Sequence, residues 1–529
     1  MFPSRTGLPC VCALVFAGLT GCSEKAAAPA MKSGAEPASF QLKAAADYNS
    51  QQRERYDHFA DNPFQAVAVH PLSTLSTEVN TASYSNVRRF LNEGKKPPKD
   101  AVFLAEMINY FPYTYPKPAG DDPVSFTLDI APCGWEPKHH LVRIGVKAKD
   151  IDAAAMPPRN LVFLIDVSGS MQQENRLPLV KKSLNRLIDT LTHRDSVSVV
   201  TYAGDTSVKL PATRGDNKSR IREVVNALGA GGGTNGSAGI ALAYDQARAA
   251  YIDGGVNRVL ICTDGDFNLG QTSEGELVRL IETQRQGNVF LSVLGFGMGN
   301  YNDAMLKKLA NHGNGHHAYI DTESEAYKVF VEQGAALAVV AKDVKLQVEF
   351  NPRRVTAYRL IGYENRLLRP EDFKNDAADA ADMGAGHTVT ALYEIVPVGV
   401  TIDLPGVDPL KYQTPAQPAA GGDEWLTAKM RYKHPLSDKS LEVVRPLPAA
   451  ALGVAPSTDF RFAAAVAEFG MLLRDSPFKG SSSYDRVVTA AEANLGPDPG
   501  SHRAEFVGLV RKARRFEQVQ REDPAAKPE

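Results

Sequence analysis

The chain has 529 residues, of which 43% are hydrophobic and 23% charged, a balance ordinary for globular protein. At roughly 100–200 residues per domain, that length holds about three domains. Lys and Arg number 59 against 61 Asp and Glu, so the net charge is −2. Neither a basic excess that would favour nucleic acid nor an acidic tail is present.

Arg5 precedes an apolar stretch, Leu8 to Leu19, of signal-peptide length. It is too short and too interrupted to read as a membrane-spanning helix. It ends in Leu19-Thr20-Gly21-Cys22, which resembles a bacterial lipobox. The resemblance implies a signal peptide over residues 1–21, cleavage before Cys22 and a diacylglycerol on the Cys22 sulfur; an ordinary cleaved signal peptide is the alternative. Ser23 in place of Asp implies, by the habit of such lipoproteins, the outer membrane of a diderm envelope, facing the periplasm. The five cysteines stand at 10, 12, 22, 133 and 262. Only Cys133 and Cys262 remain once the signal peptide has gone and Cys22 is lipidated, and nothing in the sequence says whether they pair. Cys262, within Val259-Leu260-Ile261-Cys262, reads as a small buried residue. No Cys/His spacing suggests zinc.

Residues 22–55 are rich in Ala, Lys, Glu, Pro and Gln and lack the apolar content for a core, as in a flexible tether. About 30 such residues span roughly 30 Å as a coil. A first ordered block, 56–150, holds a helical stripe from Thr81 to Leu91 that is broken by Pro97-Pro98, then a helix from Ala101 to Phe111. Strand-like alternation follows at Ser125–Ile130 and Leu141–Val146. The second block, 155–340, alternates buried strands with amphipathic helices. Strands are expected at Leu161–Ile165, Ser196–Tyr202, Val256–Thr263, Val289–Leu294 and Ala318–Ile320. Helices are expected at Pro178–Leu191, Ser237–Ala250, Glu274–Gln286, Asp303–Asn311 and Glu323–Val340. This alternation predicts an α/β fold with a doubly wound, mostly parallel sheet covered on both faces. The third block, 341–520, reads as antiparallel strands at Val344–Phe350 and Thr388–Val396, with a loop from Asn375 to His387 between them. Helices follow at Phe460–Leu473, Ser482–Leu495 and Arg503–Phe516, and the tail, 521–529, reads as disordered. The flanks are thus α+β on the N-terminal side and a β-sandwich with helices on the C-terminal side.

The chemistry concentrates in the second block. The apolar run Leu161–Ile165 leads into Asp166-Val167-Ser168-Gly169-Ser170. In open α/β sheets, ligands bind beyond the carboxyl ends of the strands, where such a loop can aim several oxygens at one point. Asp and Ser are hard oxygen donors that suit magnesium, manganese or calcium rather than zinc or copper. Two more segments end in the same region of the topology. Gly231-Gly232-Gly233-Thr234 opens a helix, and Cys262-Thr263-Asp264 leaves a second buried strand.

Asp-x-Ser-x-Ser, then Thr, then Asp, each after the appropriate element, resembles the metal-ion-dependent adhesion site (MIDAS) of von Willebrand factor type A (VWA) domains. The resemblance implies that Ser168, Ser170 and Thr234 are hydroxyl ligands and that Asp166 and Asp264 ligate directly or through water. It further implies Mg2+, or else Mn2+ or Ca2+, with a coordination position open to an acidic residue of a protein partner. Asp266 is a candidate buttress of this loop. Thr81-Ala82-Ser83-Tyr84, Asn86 to Leu91 and Met107-Ile108-Asn109-Tyr110-Phe111 resemble the N-terminal region of a group of bacterial VWA lipoproteins, and the third block resembles their C-terminal domain. Glu78-Val79-Asn80 departs from that pattern, which has two Asp residues there.

Other motifs read more simply. Gly295-Phe296-Gly297-Met298-Gly299 has its third glycine misplaced for a dinucleotide fingerprint, and the loop at 229–236 lacks the Lys of a phosphate cradle, so no nucleotide is expected. Asp376, Asp379 and Asp382 lack calcium-loop spacing and read as a solvated acidic loop. His139-His140 and His316-His317 are adjacent pairs whose side chains diverge on a strand. Arg511, Lys512, Arg514 and Arg515 read as a solvated helix face. The leading expectation is a lipid-anchored envelope protein that binds a protein partner through its metal and has no catalytic residue. The alternatives are a metal-dependent hydrolase, although neither Gly-x-Ser-x-Gly nor His-Glu-x-x-His is present, and a scaffold with a vestigial metal site.

Overall fold

Three sheets organise the described residues of this computed structural model: 54–233, 236–265, 273–299, 301–378, 380–404 and 422–522. The Cys22 segment, nearly all of the tether, Thr234, Asp266, Asp379 and the tail beyond 522 lie outside the described residues.

The central sheet is built from one contiguous stretch of chain. Its strands are β1 (Arg159–Asp166), β2 (Ser196–Tyr202), β3 (Thr206–Arg214), β4 (Val256–Thr263), β5 (Phe290–Phe296) and β6 (His317–Ile320). They lie in the order β6-β5-β4-β1-β2-β3. All pairings are parallel except the hairpin of β2 with β3. Every residue of β1 and β4 is buried, as expected of central strands covered on both faces.

Alternation along β1 divides the domain into two cores. Leu161, Phe163 and Ile165 pack with α1 (Leu177–Thr190) and α2 (Lys218–Ala227) on one face. Val162 and Leu164 pack with α3 (Gly236–Ala249), α4 (Glu274–Gln286) and α5 (Asp303–His312) on the other. Local chemistry sets where these helices start. Ser273 and Glu276 form a reciprocal capping box on α4, and the Asn302 side chain accepts from the Met305 amide on α5. The α/β architecture expected from the sequence is the one observed; α2 and β3 lay outside the expectation.

The two flanking blocks do not form separate sheets. Leu72–Ser76, from before the central domain, pairs antiparallel with Val339–Phe350, from after it. That strand continues the sheet to the hairpin Glu424–Lys433 and Ser440–Pro448. In the second flanking sheet, His140–Ala148 lies between Val124–Pro132 and Thr388–Pro397. The two sheets share one core, with Val142, Ile144 and Val146 from one block and Leu346, Val348 and Met430 from the other. The helices Thr458–Arg474, Tyr484–Glu492 and His502–Glu522 pack with the N-terminal helices Ala82–Asn92 and Leu104–Asn109 around Phe111, Phe462 and Phe506.

Two expected elements are corrected. The long helix from Glu323 to Val340 is instead one α-turn (Glu323–Tyr327), a π-turn (Lys328–Glu332) and a 3₁₀ turn (Gly334–Leu337). Val339 then opens a twelve-residue strand. Sheet pairing takes the last residues of the expected helix: Val339 lies opposite Gly384 and, just past the expected end, Ala341 lies opposite Met383. The expected loop between Asn375 and His387 therefore holds a short strand, Ala381–Gly384. Only glycine fits at 384, because a Cβ there would lie 1.8 Å from the Ala336 carbonyl oxygen.

Candidate metal centre

β1 ends at Asp166, which is fully buried. Backbone bonds hold the loop that follows on two sides. The Val167 amide donates to the Tyr202 carbonyl at the end of β2. The Gly231 amide donates to the Val167 carbonyl at 2.7 Å, and the Gly169 amide donates to the Gly232 carbonyl at 3.1 Å. Gly232 adopts φ +86°, a left-handed conformation that glycine takes without strain. The glycine loop is thus laid directly across the Asp-x-Ser-x-Ser turn. Thr234, two residues further on, lies outside the described residues.

Within the turn the side chains organise one another. Asp166 Oδ1 accepts from the Ser168 amide at 2.9 Å. The Ser168 and Ser170 hydroxyl oxygens lie 3.1 Å apart. Asp166 Oδ2 accepts from the Thr263 hydroxyl at 3.4 Å, and that hydroxyl in turn accepts from the Gly265 amide at 3.2 Å. Asp264, the next residue after β4, is fully buried as well. Burial pushes the Asp166 carboxyl up to about 6, and the charge of Asp264 adds to the effect; hydrogen bonds from Ser168 and Tyr202 oppose it. Two buried carboxylates whose charges act on one another need positive charge to remain ionised.

The structure therefore brings Asp166, Ser168, Ser170 and Asp264 into one site at the carboxyl ends of β1 and β4. The donors fit a small hard cation. Adjacent ligands of an octahedral magnesium ion, at about 2.0–2.1 Å from it, stand about 3 Å apart, which is the spacing of the two serine hydroxyls here. The site opens on exposed backbone at Gly169 and Gly231 to Gly233. One charged residue was not anticipated from the sequence. Arg176, at the start of α1, donates from Nη1 to Asp264 Oδ2 at 2.6 Å and to the Ser170 carbonyl at 2.8 Å. No local motif marks it; only the convergence of β4 and the α1 entry places it there.

The competing motifs resolve into structural roles. Gly297 adopts φ +74° in a turn. Asp376 pairs with Arg431 at 3.0 Å. His139 bonds Glu394 at 2.6 Å, whereas His140 packs edge-on against Trp425. His316 faces His387, and His317 meets the Tyr301 hydroxyl at 2.8 Å. Asn80 accepts from the His317 amide at 2.9 Å. In the basic helix, Lys512 bonds Asn92 at 2.6 Å and Arg514 pairs with Asp485 at 2.6 Å. Cys133 and Cys262 are both buried and unpaired. A cavity of about 390 Å³ lies elsewhere, lined in part by Leu187, Leu260, Leu294, Lys328 and Phe330, with no site residue among its walls.

Residues 160–333 match the von Willebrand factor type A domain, residues 50–143 match a family described as von Willebrand factor, and residues 335–516 match "Uncharacterized protein YfbK, C-terminal". Type A domains commonly bind a divalent metal, and the domain supports a role in protein interaction or adhesion. The chain is 43% identical over 472 residues to uncharacterized protein YfbK of Escherichia coli (strain K12), covering 87% of this chain and 81% of that one. It is 27% identical over 177 residues to human inter-alpha-trypsin inhibitor heavy chain H3, covering 32% of this chain and 20% of that one. The solved von Willebrand factor type A structure from Catenulispora acidiphila is 15% identical, spans 74% of this chain and 89% of that one, and superposes with a TM-score of 0.43. The chain belongs to the YfbK family, in which a von Willebrand factor type A domain precedes a YfbK C-terminal domain.

Proposed function

We propose that this protein binds an acidic group of a protein partner through a divalent cation, Mg2+ first and Mn2+ or Ca2+ as substitutes, and that it does so anchored to the cell envelope through Cys22. The observation that supports the reading is the juxtaposition of two fully buried carboxylates, Asp166 and Asp264, with two serine hydroxyls 3.1 Å apart at the mouth of the sheet. Asp166, Ser168, Ser170 and Asp264 hold the ion in this reading, with Thr234 as the third hydroxyl. The bound ion supplies a Lewis-acidic position for a partner's carboxylate. The protein's own part is to keep the donors fixed. The Ser168 amide and the Thr263 hydroxyl orient Asp166, and Arg176 orients Asp264. The lipid on Cys22 and the 22–55 tether place the site at the periplasmic face of the outer membrane.

Mg2+ added at about 100 times its dissociation constant stabilises the wild type by about 2.7 kcal/mol. Asp166→Ala abolishes that increment while leaving a cooperative melt. Thermal unfolding with Mg2+ and with chelator measures both, and a wild type indifferent to every divalent ion overturns the reading. The Arg176–Asp264 pair favours a second reading, a scaffold in which the guanidinium neutralises Asp264 and no metal is held. The same melts separate the two.

A further inference from the structure

Arg176 is held more firmly than an incidental ion pair requires. Its side chain is 5% exposed and that of Asp264 is 0% exposed. Nη1 bridges Asp264 Oδ2 and the Ser170 carbonyl, and Nη2 donates to the Met298 carbonyl. The fold makes room for it. A Cβ on Gly297 would lie 2.5 Å from Arg176 Nε, so the left-handed glycine turn before Met298 is also the wall of the arginine's slot. That turn is fastened in its own right, because the Gly299 amide donates to Glu54 at 2.9 Å and Glu54 also pairs with Arg89 at 2.8 Å. The guanidinium is thus a fixed positive charge inside the site, contacting one carboxylate and the backbone of one serine.

Its effect follows from charge. Asp166 and Asp264 bring two negative charges, and Arg176 cancels one of them. A divalent ion entering such a site meets less attraction than the two carboxylates alone provide, and the loaded site carries net positive charge. Without the arginine the loaded site is neutral. We propose that Arg176 is a built-in counter-cation, a positioning residue that weakens metal binding on its own and leaves the loaded site cationic, so that the loaded site holds an anionic carboxylate more tightly than a neutral residue in its place would allow. This deepens the metal-dependent reading above and rests on it.

The test titrates Mn2+ alone, and then Mn2+ with acetate, into the full chain by calorimetry, checking each variant for a cooperative melt. Removing a unit charge at contact distance in a partly buried site tightens Mn2+ binding about tenfold or more in Arg176→Gln. Arg176→Lys keeps the charge and stays near the wild-type affinity; Arg176→Met fills the same volume and replaces the Gln variant if that one does not fold. In the wild type, acetate tightens Mn2+ and Mn2+ tightens acetate by the same factor, and in Arg176→Gln the Mn2+-loaded site holds acetate more weakly than the wild-type one. A folded Arg176→Gln that binds Mn2+ no tighter than wild type overturns the proposal, and so does a wild type in which acetate leaves Mn2+ affinity unchanged. If wild type and Arg176→Gln both bind no better than Asp166→Ala, the metal-dependent reading itself falls. Binding that is sensitive to Asp166 but indifferent to Arg176 sinks the counter-cation alone.

Discussion

The central sheet and the flanking pair of sheets bury the same kinds of side chain but close over very different lengths of chain. All six strands of the central sheet lie between Arg159 and Ile320, and its parallel neighbours are joined by the helices that cover it. The flanking sheets join Leu75 to Leu346 and Ile144 to Ala391, so the whole type A domain is an insertion between paired strands. Closing such a loop costs entropy that grows only slowly with length, so the arrangement is affordable thermodynamically, although its contacts are distant in sequence. The lesson is that the flanks hold the type A domain at both of its ends, whereas that domain's own sheet needs no strand from them.

The largest expected effect follows from that dependence. A fragment of residues 338–522 lacks Leu72–Ser76 and His140–Ala148, the partners of Val339–Phe350 and Thr388–Pro397. It shows no cooperative melt by circular dichroism and recovers one on mixing with residues 54–150. A cooperative melt of the fragment alone breaks the comparison.

Arg88 tests the seam between the regions. It stands on the N-terminal helix Ala82–Asn92, pairs with Asp321 and, at 2.7 Å, with Glu325 from the end of the central domain, and reaches Glu505 on the last helix at 3.0 Å. Burial opposes its charge, but Asp321, Tyr110 and Glu325 outweigh that and hold the guanidinium well above its usual range. Arg88→Met strands these carboxylates and costs about 3–5 kcal/mol in chemical denaturation. A loss below about 1 kcal/mol means that the seam is held by its aromatic packing instead.

His317 sharpens the comparison from the side of the central domain. Burial, with Lys307 adding, pushes its imidazole down to about 3 from the usual 6.5. A depressed histidine contributes stability that is complete above pH 6.5 and is lost as pH falls from 6.5 toward 3. At pH 5 the loss is about 2 kcal/mol, from 1.36 kcal/mol per unit over the interval below 6.5. His317→Asn flattens that part of the stability profile, and an unchanged acid limb refutes the assignment. The smallest effect is expected at Leu436, 99% exposed between Glu424–Lys433 and Ser440–Pro448. Leu436→Ser changes stability by less than about 0.5 kcal/mol.

Much of the site was legible before folding was considered. Asp166, Ser168, Ser170 and Asp264 follow buried apolar strands, and a strand of that kind in an α/β pattern ends at the ligand-binding edge. Arg176 was not legible, because a lone arginine before an amphipathic helix reads as a solvated cap until β4 brings Asp264 beside it. The segment from Glu323 to Val340 misled for a different reason. Its Ala- and Val-rich run suits helix or buried strand equally, and periodicity alone does not separate the two.

What the sequence determined by itself is whatever nearest neighbours along the chain enforce. That covers the alternation of strands and helices between Arg159 and Ile320, the caps at Ser273 and Asn302, and the oxygen chemistry of the Asp166 turn. Tertiary structure decided everything that depends on which strand lies beside which. It paired strands from either side of the type A domain, converted the end of an expected helix into the strand opposite Ala381–Gly384, and set a fixed cation against Asp264. The reason is that periodicity records which face of an element is buried, while the partner that buries it is chosen by backbone hydrogen bonds and charge across hundreds of residues.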